Sequence, residues 1–446
     1  MKVDTDPQPV FSEVEEELFL RSDHHAYWDA SMQEVVVPTT VSQLLQKELT
    51  VDRAIQIALL NNRHLQAIYE DLGIAKAELA QAGLLKNPIF SFSYRFSTAS
   101  AVIDLIDVGL IQNFLEILLI PLKKKMARAE LEATKSVVLT QMLDVIGETN
   151  MAFYTLQAKE AVWNLKKQIL LAAELSYEAS QRLFSAGNIT DLEVSLERAR
   201  YEQAKLEVAS GEIDVLEARE QLNLLMGLWG REIEWKISSD FPPLPDQESH
   251  FETIENDAIK SSLDLKIAYS GLLVTAAKLG IDTTKLVIPE CNVGVLGERE
   301  DSVWYVGPAF SLALPLFDFG RAKSAKSQAK IMQEWNQYTA LAIEIRSKAR
   351  SFRFSLLNAF RQSRYLEKVI VPLAEEITRS TLLQHNAMQL GVLHLLSAKR
   401  DELEKKIQFI LMQQEYWKAK VLLQTLLDGH LLGKKSIRVS SRELHD

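Results

Sequence analysis

Two stretches of roughly two hundred residues follow the same order of landmarks, and this duplication restricts the fold more than any other feature of the chain. Gly187 has a counterpart in Gly391 and Pro88 in Pro289, at spacings of 204 and 201 residues. Val-Gly-Leu at Val108 matches Val-Gly-Pro at Val306, Ile-Pro-Leu at Ile120 matches Leu-Pro-Leu at Leu314, and Ala54-Ile55 matches Ala258-Ile259. Between the copies runs GLWGREIEWKISSDFPPLPDQESH, a linker by its proline and polar content. The expected division is a leader (1–48), a first repeat (49–228), a linker (229–250), a second repeat (251–430) and a tail (431–446). The leader, acidic and with few periodic apolar positions, is expected to be extended or partly ordered.

Within the first copy the stretch from Leu49 is expected to be helical to about Leu85, with Asn87-Pro88 as the stop. A strand follows, with Phe90, Phe92, Tyr94 and Phe96 on one face and Ser91, Ser93 and Arg95 on the other. The run LIDVGLIQNFLEIL is expected to be a second strand, apolar on both faces. A helix from Leu122 to Ala186 would then be about 95 Å long at the standard rise. Gly187-Asn188 breaks it, and Thr190 with Glu193 form a capping box that restarts the chain as an antiparallel arm. That arm spaces Ile189, Leu192, Leu196, Ala199, Leu206 and Ile213 as a coiled-coil seam.

The second copy repeats the plan. Trp304, Val306, Phe310, Leu312 and Leu314 alternate along a strand. The helical composition that follows is expected to kink at Pro372, and Leu403, Ile407, Ile410, Trp417 and Val421 repeat the seam. Phe317-Asp318-Phe319-Gly320 looks like the magnesium-binding triplet of protein kinases, but the glycine-rich loop, strand lysine and catalytic loop that a kinase requires are missing. Asp318 lies where a strand becomes a helix, so its expected role is to cap backbone N–H groups.

Composition narrows the functional classes. Only 17 glycines and 12 prolines punctuate 446 residues, which favours long elements. A net charge of −10 argues against nucleic acid. Cys291 is the only cysteine, so no intrachain disulfide or cysteine-based zinc site is available. No stretch is long and apolar enough for a membrane helix, and the acidic start does not resemble a signal peptide. There is no nucleophile–base set, zinc motif or phosphate loop, so neither enzyme activity nor a cofactor is expected. His385, Met388 and His394 surround the second turn, and Asp23-His24-His25 lie in the leader; neither group fixes a ligand geometry, and no metal site is assigned to them.

Four strands cannot close a barrel, whose smallest common form has about eight, so either they form a covered open sheet or several chains pool them. The aromatic-out, serine-in alternation over Asn87–Phe96 suits a tilted membrane strand as well as a soluble sandwich. At this point the duplicated plan, together with NNRHLQA, LGIAKAELAQAGLLKNP, PLFDFGRAKSAKSQAK, SAGNITDLEVSLERARYEQA, LNLLMGLWG and HNAMQLGVLHLLSAKRDELE, resembles the TolC-type outer-membrane efflux proteins from Leu49 to Gly429. LLIPLKKKMA and NAMQLGVLHLL look closest to the branch associated with copper and other heavy-metal resistance.

The resemblance implies a mainly α fold with a small β part: a homotrimer pooling four strands per chain into a twelve-stranded barrel, with a helical periplasmic tunnel. It implies a passive duct for metal ions or drugs, working with a periplasmic adaptor and an inner-membrane pump of the resistance-nodulation-division type. Phe90, Phe92, Tyr94, Phe96, Trp304 and Phe310 would face outer-membrane lipid. Gly187, Asn188, Thr190, Asp191, Leu390, Gly391 and Val392 would form the periplasmic tips that meet the adaptor. Asp191, His394, Ser397 and Asp401 are candidates for the tunnel constriction. Family members carry an acidic residue in a Leu-Asp-Ala after the second tip, where this chain has Leu396-Ser397-Ala398, so a gate carboxylate does not carry over to that position. The competing expectation is a soluble coiled-coil scaffold whose strands form a clasp.

Overall fold

The computed structural model describes residues 4–28, 36–95, 105–113, 115–237, 241–247, 253–287, 291–300, 303–312 and 321–433. Asp318, Pro289, Phe96 and the Leu-Pro-Leu at Leu314 lie outside the described residues.

The leader is partly helical. Helix α1 (Gln8–Ser22) starts behind Pro7 and buries Val10, Phe11, Val14 and Leu18, one stripe at helical spacing. Phe11 packs 5.4 Å from Trp28 and 5.2 Å from Tyr69, ring centre to ring centre. The buried stripe of α1 and this aromatic cluster together fix the segment to the body. Helix α2 (Val36–Leu45) follows.

The stretch expected to be one helix is two, α3 (Val51–Asn61) and α4 (Arg63–Ala82). Asn62 makes the break: its side-chain oxygen accepts the N–H groups of His64 at 3.0 Å and Leu65 at 3.1 Å, capping α4. In the second copy Ser262 accepts Leu265 N–H in the same way at 3.2 Å, between α7 (Ile254–Ser261) and α8 (Leu263–Val287). These caps pair Ala58, not Ala54, with Ala258, so the alignment made on Ala54-Ile55 is shifted by one helical turn.

Strand β1 (Ile89–Arg95) pairs with β2 (Leu105–Asn113), β2 with β3 (Cys291–Glu300) and β3 with β4 (Val303–Leu312), all antiparallel in one sheet. The second strand stops at Asn113, whose side-chain oxygen accepts Glu116 N–H, and the apolar residues beyond it are helical. Helix α5 (Leu115–Ser185) therefore begins before Leu122 and runs through Pro121 for 71 residues, about 106 Å at 1.5 Å per residue. It returns as α6 (Asp191–Met226).

The corresponding arm of the second copy is divided. Helix α9 (Arg321–Tyr365) passes into a π-helical turn at Leu366–Ile370 and then α10 (Val371–Asn386), before α11 (Val392–Leu427) returns. The wider turn ends beside Pro372, whose missing N–H and bulky ring disturb the regular ladder.

The long helices form a row in which α6 packs on α5, α5 on α11, and α11 on α9 and α10. The main core crosses the middle of that row, from Ala152, Phe153 and Leu156 on α5 to Ile345 and Ala349 on α9 and Tyr416 and Trp417 on α11. The linker is part of this core: Trp235 is buried, donates its indole N–H to Asn223 at 2.9 Å, and lies against the Arg219 guanidinium. Leu403, Trp417 and Val421 of the second seam are buried as expected. In the first seam Leu192, Leu196, Leu206 and Ile213 are exposed, and α6 instead turns Ala204, Gly211, Val215 and Leu222 inward. The heptad positions of α6 thus have no partner within the described chain.

Candidate functional site

In an antiparallel sheet, directly paired residues project to the same side. The register sets Phe92 opposite Val108, Val108 opposite Gly297, and Gly297 opposite Val306. The next rows place Phe90, Leu110 and Val295 together on that face, and Phe310 opposite Val293. Aromatic and aliphatic side chains from both repeats therefore share one continuous face. Phe92 is 62% exposed and Phe310 68%, with Phe90, Tyr94 and Trp304 also in the open.

The opposite face carries the row Ser93, Asp107, Glu298 and Tyr305. Arg95 forms an ion pair with Asp107 across the first two strands. This side is concave, with a hollow of about 450 Å³ lined by Ser91, Asp107, Leu296, Glu298 and Tyr305 among others. Gly109 stands in the next row of that face, between Ser91 and Leu296, where a β-carbon would fall 2.5 Å from Ser91 Oγ and 2.8 Å from Leu296. β2, expected to be apolar on both faces, thus carries its charge on the concave one.

At the other end of the molecule the two helix turns differ. Gly187 adopts the left-handed φ of 77°, and the N–H groups of Gly187 and Asn188 each bond back to α5 carbonyls at 2.9 Å. Thr190 caps α6: its hydroxyl accepts Glu193 N–H at 3.3 Å, and the Glu193 carboxylate accepts Thr190 N–H at 2.7 Å. That bond from the Thr190 backbone holds the Glu193 carboxyl below its ordinary pKa. The capping box read from the sequence is present.

In the second turn the left-handed residue is Met388, at φ 59°, 201 positions after Gly187. Gly391, expected to be Gly187's counterpart, has φ −71° and ψ 158° and is the N-cap of α11, the place of Thr190. Leu390 and Val392 flank it, and the Leu390 carbonyl lies 3.0 Å from His385 Nδ1.

The constriction candidates are spread over these ends. Asp191 opens α6 and is exposed, as is His394. Asp401 is exposed and lies 3.6 Å from Arg400. Ser397 accepts from Arg400 at 3.4 Å and lines a water-sized cleft among α5, α6 and α11, where Glu197 is buried, accepts Ser176 Oγ–H at 2.9 Å and pairs with Arg200. This buried link between the two arms of the first hairpin was not legible in the sequence, where Glu197 is one more charge on an acidic helix.

The histidines of the leader are engaged locally. His24 Nδ1 lies 2.5 Å from the Ser22 carbonyl, and His25 stacks on Phe19 with Nδ1 2.6 Å from Glu15. Among the described residues no group of three or more His, Cys, Asp or Glu is arranged to hold a metal ion.

A second polar centre also escaped the sequence. His430 is fully buried, with Nδ1 3.1 Å from Asp264 on α8 and Nε2 3.0 Å from Asp144 on α5, the latter off the line of a hydrogen bond. Asp264 also accepts Leu431 N–H at 3.1 Å. Burial pushes the imidazole pKa down, but the two carboxylates outweigh it and raise it to about 9.

Among the described residues no helix is long and apolar enough to cross a membrane. No protein-family model matches the chain. The cobalt-zinc-cadmium resistance protein CzcC of Cupriavidus metallidurans is 22% identical over 401 residues, covering 85% of this chain and 90% of CzcC. The outer-membrane channel OprN superposes with a TM-score of 0.70 at 16% identity, over 87% of this chain and 92% of OprN. The outer-membrane protein VceC of Vibrio cholerae does so with a TM-score of 0.68 at 16% identity, over 85% and 96%. Chain order, sheet and helical row are those of these outer-membrane proteins, so the expected fold is the observed one.

Proposed function

We propose that this chain, which has the fold of the TolC-type channels and resembles their heavy-metal branch, is the outer-membrane duct of a tripartite efflux system. Three copies would pool their strands into one barrel and their helices into a periplasmic tunnel. A periplasmic adaptor would meet the tips, and an inner-membrane pump of the resistance-nodulation-division type would load the duct with metal ions or drugs. The likeness to CzcC favours metal ions as cargo.

The observation that carries this reading is the sheet. One of its faces is apolar across all four strands except for Gln112 and Arg299 towards its two ends, and β1 and β4 are its edges. A lipid-facing sheet cannot leave edge N–H and C=O groups unpaired, and further copies of the same sheet supply them. The helical row has the matching need, since α6 ends it on one side and α9 with α10 on the other, each with exposed apolar side chains. Joining α6 of one copy to α9 and α10 of the next satisfies both kinds of edge with one rotation.

On this reading Gly187, Asn188, Thr190, Asp191, Leu390, Gly391 and Val392 belong to the docking tips, and Asp191, His394, Ser397 and Asp401 remain constriction candidates. The two repeats, 49–228 and 251–430, would each supply one barrel hairpin and one tunnel hairpin. Phe90, Phe92, Tyr94, Trp304 and Phe310 would face lipid.

Deleting the gene and challenging cells with cobalt, zinc, copper and a drug panel tests the assignment. Sensitisation, restored by the gene, is expected. Unchanged tolerance together with recovery of the protein from detergent-free soluble extracts would overturn the duct in favour of the soluble scaffold.

A further inference from the structure

Below the sheet both long arms enter a basic zone, in which Glu116 is the one carboxylate that α5 carries before Glu130. On α5 the run is Lys123, Lys124, Lys125 and Arg128, with Glu130 the next carboxylate; on α9 it is Arg321, Lys323, Lys326 and Lys330, with Glu334 the next. Glu116 takes Lys123 and, at 3.0 Å, Lys86. The side chains of Lys125, Arg128, Arg321, Lys323, Lys326 and Lys330 are exposed, and none pairs with a carboxylate among the described residues.

Local helix electrostatics does not explain them. Arg321 and Lys323 fall in the first turn of α9, which holds no acid, although the positive end of the helix dipole favours one there. The arrangement also occurs in both repeats at one level: Lys125 lies twelve residues beyond β2, and Arg321 to Lys326 lie nine to fourteen beyond β4. Between β2 and the first lysines the chain is almost wholly apolar, with Leu118 exposed. Apolar strand face, apolar step and cations thus succeed one another in the order of hydrocarbon, interface and headgroup.

We propose that this duplicated basic cluster is a collar that holds the phosphate headgroups of anionic phospholipids on the periplasmic face of the bilayer. The proposal rests on the barrel reading above. Threefold repetition closes the two clusters into a ring around the barrel's base, and lysines and arginines there gain from a negative leaflet within a Debye length of its surface. The collar fixes the depth of the barrel and keeps the tunnel perpendicular to the membrane.

The test reconstitutes the purified full-length protein into vesicles of phosphatidylcholine, with or without phosphatidylglycerol, and counts retained lipid by native mass spectrometry. Wild type is expected to retain phosphatidylglycerol over phosphatidylcholine by about tenfold, and high salt should erase the preference. Combining K125Q, R128Q, K323Q, K326Q and K330Q should bring retention to parity while insertion and assembly persist; the same positions changed between Lys and Arg should keep the preference. Equal retention by wild type overturns the collar, as does a preference that survives neutralisation, and capture of peptidoglycan fragments in place of lipid would reassign the surface. Failure of wild type to insert into either vesicle would instead remove the barrel reading, and the collar with it.

Discussion

His430 joins the two repeats and the chain's end through charge: Asp144 belongs to the first repeat, Asp264 to the second, and the imidazole lies fully buried between them. Because its folded pKa of about 9 exceeds the ordinary 6.5, the stabilisation is complete below pH 6.5 and is lost as pH rises through about 9. His430→Ala strands two carboxylates and should cost about 3 kcal/mol at pH 7. Thermal unfolding of the two proteins should differ most just below pH 6.5, and the gap should narrow as pH rises and close by pH 10; a constant gap would mean that packing alone is lost. Nothing in the sequence marked this residue. Its partners are 166 and 286 positions away, and Asp-Gly-His-Leu-Leu-Gly reads as a helix end. Glu197 was hidden for a similar reason, since its burial is decided by the packing of α6 against α5 and not by local pattern.

At the scale of the elements, what the sequence showed best was what is local or repeated. The capping box at Thr190, the alternating face of β1 and the second seam need only a few neighbouring residues to be recognised. The register of the two copies was harder, because glycine at the second turn drew the alignment to Gly391 while the left-handed position went to Met388. This changes the expectation for the tips. Gly187→Leu forces a β-branch-free but bulky residue into a left-handed backbone at about 1 kcal/mol or more, and should reduce crosslinking to a periplasmic adaptor with barrel levels unchanged. Gly391→Leu meets no such strain at φ −71° and should be milder, while Met388→Gly should relieve the turn. Equal effects of the two leucines on crosslinking would show that side-chain bulk, not backbone geometry, matters there. For the sheet, Phe92→Arg and Phe310→Arg should each impair membrane assembly by about 2–4 kcal/mol, with Ser93→Arg less harmful because it joins the concave, charged face. Equal loss of heat-resistant assembly at all three positions would reverse the two faces.

For the whole molecule the instructive failure is the first seam. Leu192, Leu196, Leu206 and Ile213 have heptad spacing, yet among the described residues they have no partner, and heptad spacing reads the same for a seam that closes within a protomer as for one that closes between protomers. The structure leaves that stripe on α6 at one edge of the helical row and exposes Ile343, Phe354 and Ile377 on α9 and α10 at the other. Unlike edges generate a ring when the rotation closes, and closure also removes the free edges of β1 and β4. Leu206→Lys with Ile213→Lys should therefore act far from the barrel: two charges placed in an apolar seam oppose association of the tunnel helices, while the fold of each protomer, whose α6 core faces the other way, is kept. Detergent-purified wild type is expected to have the mass of three chains and to conduct ions weakly across a planar bilayer. The double variant should shift toward monomer with unchanged helical circular dichroism. A variant that stays trimeric and conducts as wild type would show that the strands alone hold the assembly, and that the α6 stripe faces something other than a second copy.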